Sequence, residues 1–103
     1  MYFLMIARDR PGMLDTRLAT RPAHKAYLRQ PGLPGRCVMG APLAQDDETT
    51  MTGTFLVIEA ADRAAAQAFA DADPYAQAGI FESREIIALH SAFDASQILP
   101  LKP

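Results

Sequence analysis

The chain has 103 residues, half of them hydrophobic and 21% charged, with a formal net charge of −2 and a single cysteine. That length suits one domain with a modest core. The acidic balance excludes a face built for nucleic acid or an anionic membrane, which needs a surplus of Lys and Arg, and the lone Cys37 excludes an internal disulfide.

Met1 to Ala7 is an apolar run with aromatic and branched members, which predicts a buried strand. It is too short for a signal peptide or a membrane span, so the expected compartment is the cytoplasm. Arg8-Asp9-Arg10-Pro11-Gly12 reads as a charged turn. Leu14, Leu18, Tyr27 and Leu28 then recur at helical spacing, but Pro22 interrupts them. A proline inside a helix removes a hydrogen bond and clashes with the preceding turn. The segment is therefore expected to split. A short piece covers Met13 to Ala19, and a main helix begins around Thr20 to Pro22 with Thr20 as its N-cap.

Gly32-Leu33-Pro34-Gly35 has turn chemistry, and Arg36 to Ala41 predicts the second strand. Cys37 lies in that apolar run and reads as a small buried hydrophobe rather than a catalytic thiol. The polar stretch Leu43 to Thr52 predicts a solvated loop, and Gly53 to Ala60 the third strand. Asp62 is placed to cap a second helix from Arg63 to Ala72, which Asp73-Pro74 ends. Ile80 to His90 predicts the fourth strand, and Ser91 to Pro103 a tail without a clear element.

The order strand, helix, strand, strand, helix, strand is the ferredoxin-like βαββαβ plan, an α+β fold with a four-stranded antiparallel sheet and two helices on one face. Yet the strands are apolar on both faces. Tyr2, Leu4 and Ile6 alternate with Phe3 and Met5, and Phe55 and Val57 with Leu56 and Ile58. A face left in water should read polar at every second position. A homodimer formed through the open sheet face is the economical cover.

Two proton-handling side chains stand out, His24 in Arg21-Pro22-Ala23-His24 and Asp73 in Ala72-Asp73-Pro74-Tyr75. Antiparallel helices put the start of the first and the end of the second at one sheet edge. The split at Pro22 would thus bring His24 to Asp73. A histidine near neutrality can take and give a proton, and a carboxylate on one ring nitrogen would fix its tautomer. Tyr75 and Ser83 could bond a substrate oxygen, and Arg21, Arg17 or Arg8 could hold an anionic group. Each also has a structural role open to it. Asp73 before Pro74 has the signature of an N-cap for a short helical turn, Pro74 to Ala78, and capping and pairing can coexist on one carboxylate. His24 could be satisfied by a backbone carbonyl, and Arg17 and Arg21 could solvate a helix face. His90 reads as a surface residue, and the scattered methionines as core filling. No ligand cluster or phosphate-cradling glycine loop points to a metal or cofactor.

From Met1 to Leu89 the chain resembles the YciI-like proteins, the YCII-related domain family of the dimeric α/β-barrel superfamily. The stretches that carry the resemblance are Arg17-Leu18, Arg21 to His24, Gly40-Ala41-Pro42, Gly53, and Asp71 to Ser83. It implies a ferredoxin-like domain over residues 1–90, a tail over 91–103, a homodimer, and a histidine–aspartate pair that falls here on His24 and Asp73. It also implies cofactor-independent isomerase or dehydrochlorinase-like chemistry on a small ring compound. The alternative is a non-catalytic binder or assembly module, in which His24 and Asp73 would point apart.

Overall fold

Side chains on each apolar run alternate between two faces, and four such runs pair into one antiparallel sheet. The computed structural model describes residues 1–97. Its elements are β1 (Tyr2–Asp9), α1 (Leu14–Leu28), β2 (Gly35–Ala44), β3 (Met51–Ala60), α2 (Arg63–Asp71), α3 (Pro74–Gln77) and β4 (Phe81–Ala88), with a 3-10 turn at Ala95–Gln97. The strand order is β2-β3-β1-β4, every neighbour antiparallel, which matches the ferredoxin-like plan. Phe3, Met5 and Ala7 of β1 join Cys37, Leu56 and Ile58 in a core with Tyr27 of α1 and Ala66, Phe69 and Ala70 of α2. Both long helices therefore lie on one face. Leu4, Ile6 and Phe55 point to the other face and are half-buried, and Ile87 beside them is 42% exposed.

Three strands run further than the sequence predicts, and the fourth is shorter, Phe81–Ala88 where Ile80 to His90 was expected. β1 continues through Arg8 and Asp9, because Arg8 still pairs with Gly53 and Ser83. β2 and β3 pair out to Ala44 and Met51, which confines the expected loop to residues 45–50. There Asp47 accepts the N–H groups of Thr49 and Thr50 and closes the turn. The apolar tail end Ile98-Leu99-Pro100-Leu101 lies outside the described residues. Before it, Phe93 rests on the ring of Tyr2.

Asp62 caps α2 as expected, accepting from Ala65 N–H. The expected split of the first helix does not occur. α1 is continuous, with Pro22 inside it, and Thr20 is an interior residue whose hydroxyl donates to the Thr16 carbonyl. Pro22 is tolerated because its ring is exposed. The carbonyl that lacks its N–H partner belongs to Leu18, itself 49% exposed and open to water. Only the C-terminal half of the apolar stripe of α1, Tyr27 and Leu28, meets the core. Leu14 and Leu18 are exposed, and the buried positions are Arg17, His24 and Tyr27. That face meets a polar site in addition to the core.

A bulge shapes the wall of that site. Cys37 opposes Ile58 but Met39 opposes Val57, so Val38 is an extra residue on edge strand β2. The slip changes the phase of the strand and turns Gly40 inward beside Leu56, where a Cβ would sit 2.6 Å from the Leu56 side chain. Gly53 is tighter still, since a Cβ there would come within 2.3 Å of the Ala7 carbonyl oxygen. Backbone cannot swing aside as a side chain can. Gly53→Ala is expected to destabilise the fold by about 1–3 kcal/mol, read as a lower denaturation midpoint in urea. An unchanged midpoint would mean that β1 and β3 are not packed this closely.

Candidate active site

α1 spans 15 residues and α2 only 9, and they run antiparallel with a defined register. The Tyr27 hydroxyl donates to the Phe69 carbonyl at 2.6 Å, satisfying one of the carbonyls left over at the end of α2. One turn back along α1 is His24, and four residues on from Phe69 is Asp73. The unbroken helix leaves His24 past its midpoint, not near its start. Because α2 stops at Asp71, the chain beyond it still reaches that level.

The His24 Nδ1 lies 2.9 Å from both carboxylate oxygens of Asp73. Both residues are buried, His24 with 6% and Asp73 with 1% of its surface exposed. Asp73 is also the N-cap of α3. Its Oδ1 accepts the Tyr75 N–H at 2.9 Å, with Pro74 in the first turn of that helix. Capping and pairing thus coexist on one carboxylate. His24 Nε2 has no hydrogen-bonding partner among the described residues and is left as the ring nitrogen available to a ligand.

Tyr75 is fully buried and its ring stacks on His24, with centroids 4.0 Å apart and planes 18° apart. The guanidinium carbon of Arg17 lies 4.3 Å from the same centroid. Arg17 is fully buried too. It donates from Nε and Nη2 to the two oxygens of Asp9, at 2.6 and 2.8 Å, and from Nη2 to Thr54 Oγ1 at 2.7 Å. Three of a guanidinium's five N–H donors are thereby used, and the remaining two belong to Nη1. Arg17 Nη1 and the Tyr75 hydroxyl are the buried side-chain polar atoms without a partner among the described residues.

A cavity of about 120 Å³ opens against these groups. Arg17, His24 and Tyr75 line it together with Arg21, Lys25, Leu28 and Arg29 of α1, Gly40, Ala41 and Pro42 of β2, and Thr54 and Leu56 of β3. Four of these residues are Arg or Lys and none is Asp or Glu, so an acidic chain carries a cavity lined with positive charge. Among the described residues no three His, Cys, Asp or Glu side chains gather as they would around a metal ion.

Of the residues singled out in the sequence, His24, Asp73, Tyr75, Arg17 and Arg21 come together here. Arg8 and Ser83 do not line the cavity; they oppose one another across β1 and β4, both exposed, on the sheet face away from the helices. His90 is exposed, and its Nδ1 accepts the Ala92 N–H. Sequence reasoning passed over Lys25, Arg29 and Thr54. Lys25 and Arg29 continue the i,i+4 row begun by Arg21, a legible signal. Thr54 carries none beyond its place on the inward side of β3.

Comparison with known proteins identifies relatives over most of the chain. The profile of the YCII-related domain matches residues 1–90. The protein YciI of Escherichia coli is 37% identical over 87 residues, which cover 80% of this chain and 89% of that protein. An uncharacterised protein of Haemophilus influenzae is 35% identical over 86 residues, 79% of this chain and 88% of its own. Among solved structures, the 5-chloro-2-hydroxyhydroquinone dehydrochlorinase of Burkholderia phenoliruptrix, in complex with 2,5-dihydroxybenzoquinone, aligns with a TM-score of 0.66 and 33% identity, over 87% of this chain and 94% of that one.

Cys37 borders this region and is not its nucleophile. Burial first, and then the charge of Asp73, push its thiol up to about 11. An unfolded cysteine ionises near pH 8.5. Between those values the folded chain keeps a proton that the unfolded chain loses, so stability falls as pH rises through the window, by about 3 kcal/mol in all. Denaturation midpoints at pH 7.5 and 10.5 are expected to differ less in Cys37→Ala than in the wild type. Equal differences would contradict the raised thiol.

Proposed function

The chain belongs to the YCII-related domain family, and on that premise we propose that it is an enzyme that moves a proton on a small anionic ring compound. The observation that carries this reading is the His24 Nδ1 held 2.9 Å from both oxygens of Asp73 at the wall of a cavity lined with positive charge. With Nδ1 donating to the carboxylate, the proton of a neutral ring sits there, and Nε2 carries the lone pair. Nε2 then acts as general base and afterwards as general acid, while Asp73 keeps the tautomer in place.

The cavity's size and charge support the substrate class. About 120 Å³ suits one substituted ring rather than a nucleotide or a peptide. Arg21 and Lys25 favour an anion over a neutral molecule. Arg17 Nη1 and the Tyr75 hydroxyl are donors that call for an oxygen acceptor. The reaction is an isomerisation or an elimination. In the elimination, Nε2 takes a proton from a position activated by a carbonyl or enol, and the electron pair moves through the ring to expel the leaving group. The dehydrochlorinase neighbour is named for a reaction of that kind and holds a dihydroxybenzoquinone. The feature expected of a non-catalytic binder, two side chains pointing apart, is absent from this geometry.

The assembly belongs to the same reading. Leu4, Ile6, Phe55 and Ile87 form an apolar sheet face on the side away from α1 and α2. A second copy laid on that face gives the homodimeric α/β barrel. Arg8 and Ser83 then fall beside the interface and not in the site. No helix among the described residues is long and apolar enough to cross a membrane. A lone buried thiol fits a cytoplasmic setting.

Wild-type protein is expected to release chloride from 5-chloro-2-hydroxyhydroquinone or to isomerise a member of a panel of hydroxylated ring acids. His24→Ala should lower kcat at least about a hundredfold, and Asp73→Asn about tenfold, with circular dichroism unchanged. Full turnover by a folded His24→Ala protein would remove the proposal. Light scattering should report twice the chain mass, and Phe55→Glu should halve it. A wild-type monomer would remove the dimer.

A further inference from the structure

We infer that Tyr75, backed by Arg17, is a positioning residue that sets the plane of the His24 imidazole. The inference rests on the dyad described above and extends it to a third and a fourth side chain.

A hydrogen bond at Nδ1 holds one point of the ring. The ring can still tilt about the line joining Nδ1 to the carboxylate, and it can turn over about its Cβ–Cγ bond and offer its other edge. A flat neighbour removes the tilt, and by keeping Nδ1 aligned with the carboxylate it also opposes the turn, which would carry Nδ1 away from Asp73. Tyr75 is such a neighbour, 18° from parallel with His24 at 4.0 Å. Its own place is set from several directions. Its N–H is held by Asp73 Oδ1, the carboxylate that also holds His24. Phe81 meets the Tyr75 ring edge-on at 6.2 Å. The Arg17 guanidinium lies 4.3 Å from its centroid.

Two planar groups this close to one ring centroid cannot share a face, so His24 and Arg17 take opposite faces of Tyr75. Their spacing on α1 permits it. Seven residues are two turns, about 10 Å along the axis, enough for one ring between two stacked partners. The far end of the stack is anchored to the sheet, since Asp9 of β1 grips Arg17 with two bonds and Thr54 of β3 with a third. A planar fork held by two acceptors has little rotational freedom. The orientation of His24 is thereby referred through Tyr75 and Arg17 to the centre of the sheet, not to α1 alone. Tyr75 thus serves twice by different parts, the ring orienting His24 and the hydroxyl left to meet a ligand.

Nitrogen-15 NMR of the histidine rings, recorded on the full chain without ligand at a pH where the rings are neutral, reads the outcome directly. His90 is an internal reference. Its Nδ1 accepts the Ala92 N–H, so its proton sits on Nε2. In the wild type His24 is expected to show the opposite tautomer, with the proton on Nδ1. Tyr75→Phe keeps the stack and should keep that tautomer undiluted. Tyr75→Leu should give a mixture of both forms with a dispersed amide spectrum. So should Arg17→Met combined with Asp9→Asn, which leaves no unpaired carboxylate buried. If Tyr75→Leu does not fold, the combined variant decides. Folded variants that hold His24 wholly in the Nδ1 form would overturn the positioning role while leaving the dyad intact. An Nε2–H tautomer in the wild type would overturn the dyad and this inference with it.

Discussion

The carboxylate of Asp73 joins local backbone geometry to long-range contact. Pro74 ends α2 by excluding helical geometry at Asp73 and starts α3 by occupying its first turn. Asp73 then faces the free N–H groups of that turn and takes one of them, from Tyr75. A buried carboxylate is costly unless its lone pairs are filled. A second partner is His24, which arrives from an element 49 residues earlier in the chain. One cap thus fixes the direction of α3, the height of Tyr75 and the position of the carboxylate that His24 Nδ1 meets.

The helical layer is divided between stability and chemistry. α2 contributes Ala66, Phe69 and Ala70 to the core, a face of small residues and one ring that lets it lie close to the sheet. α1 contributes only Tyr27 to the buried core, and its other buried positions are a guanidinium and an imidazole. Such a helix gains little from burial of apolar surface. It is held instead by specific bonds, Tyr27 to Phe69, His24 to Asp73 and Arg17 to Asp9. This gives orientation, and among the described residues Arg17 Nη1 and the Tyr75 hydroxyl have no partner. Both atoms belong to residues that line the cavity.

Much of this was legible along the chain. Strand alternation in Tyr2 to Ile6 and Phe55 to Ile58, the Asp62 cap and the Asp-Pro stop are local signals, and each depends on a few neighbouring residues. They were enough for the order of elements, whereas the pairing of His24 with Asp73 was expected from a helix split that does not occur and from the family resemblance, and it is met through an unbroken α1 instead. Where the reading failed, a distant contact outweighed a local rule. Pro22 did not split α1, because its freed carbonyl is exposed and α1 is tied at Arg17, His24 and Tyr27 on both sides of it. Leu14 and Leu18 formed an apolar stripe that the fold leaves outside. Arg8 resembled the other arginines in sequence, but strand alternation turned it to the opposite face of the sheet from Arg17.

What the amino-acid order determined by itself is therefore the kind and succession of elements, since helix caps, proline stops and side-chain alternation act within a few residues. It also singled out the one histidine and the one carboxylate that meet. Only the tertiary structure decided what surrounds them. The stack of Arg17, Tyr75 and His24, the bulge that turns Gly40 into the cavity, and the division of the arginines between two sheet faces all depend on strand register and helix height. Those quantities are set by the packing of segments remote in sequence, and no window along the chain contains them.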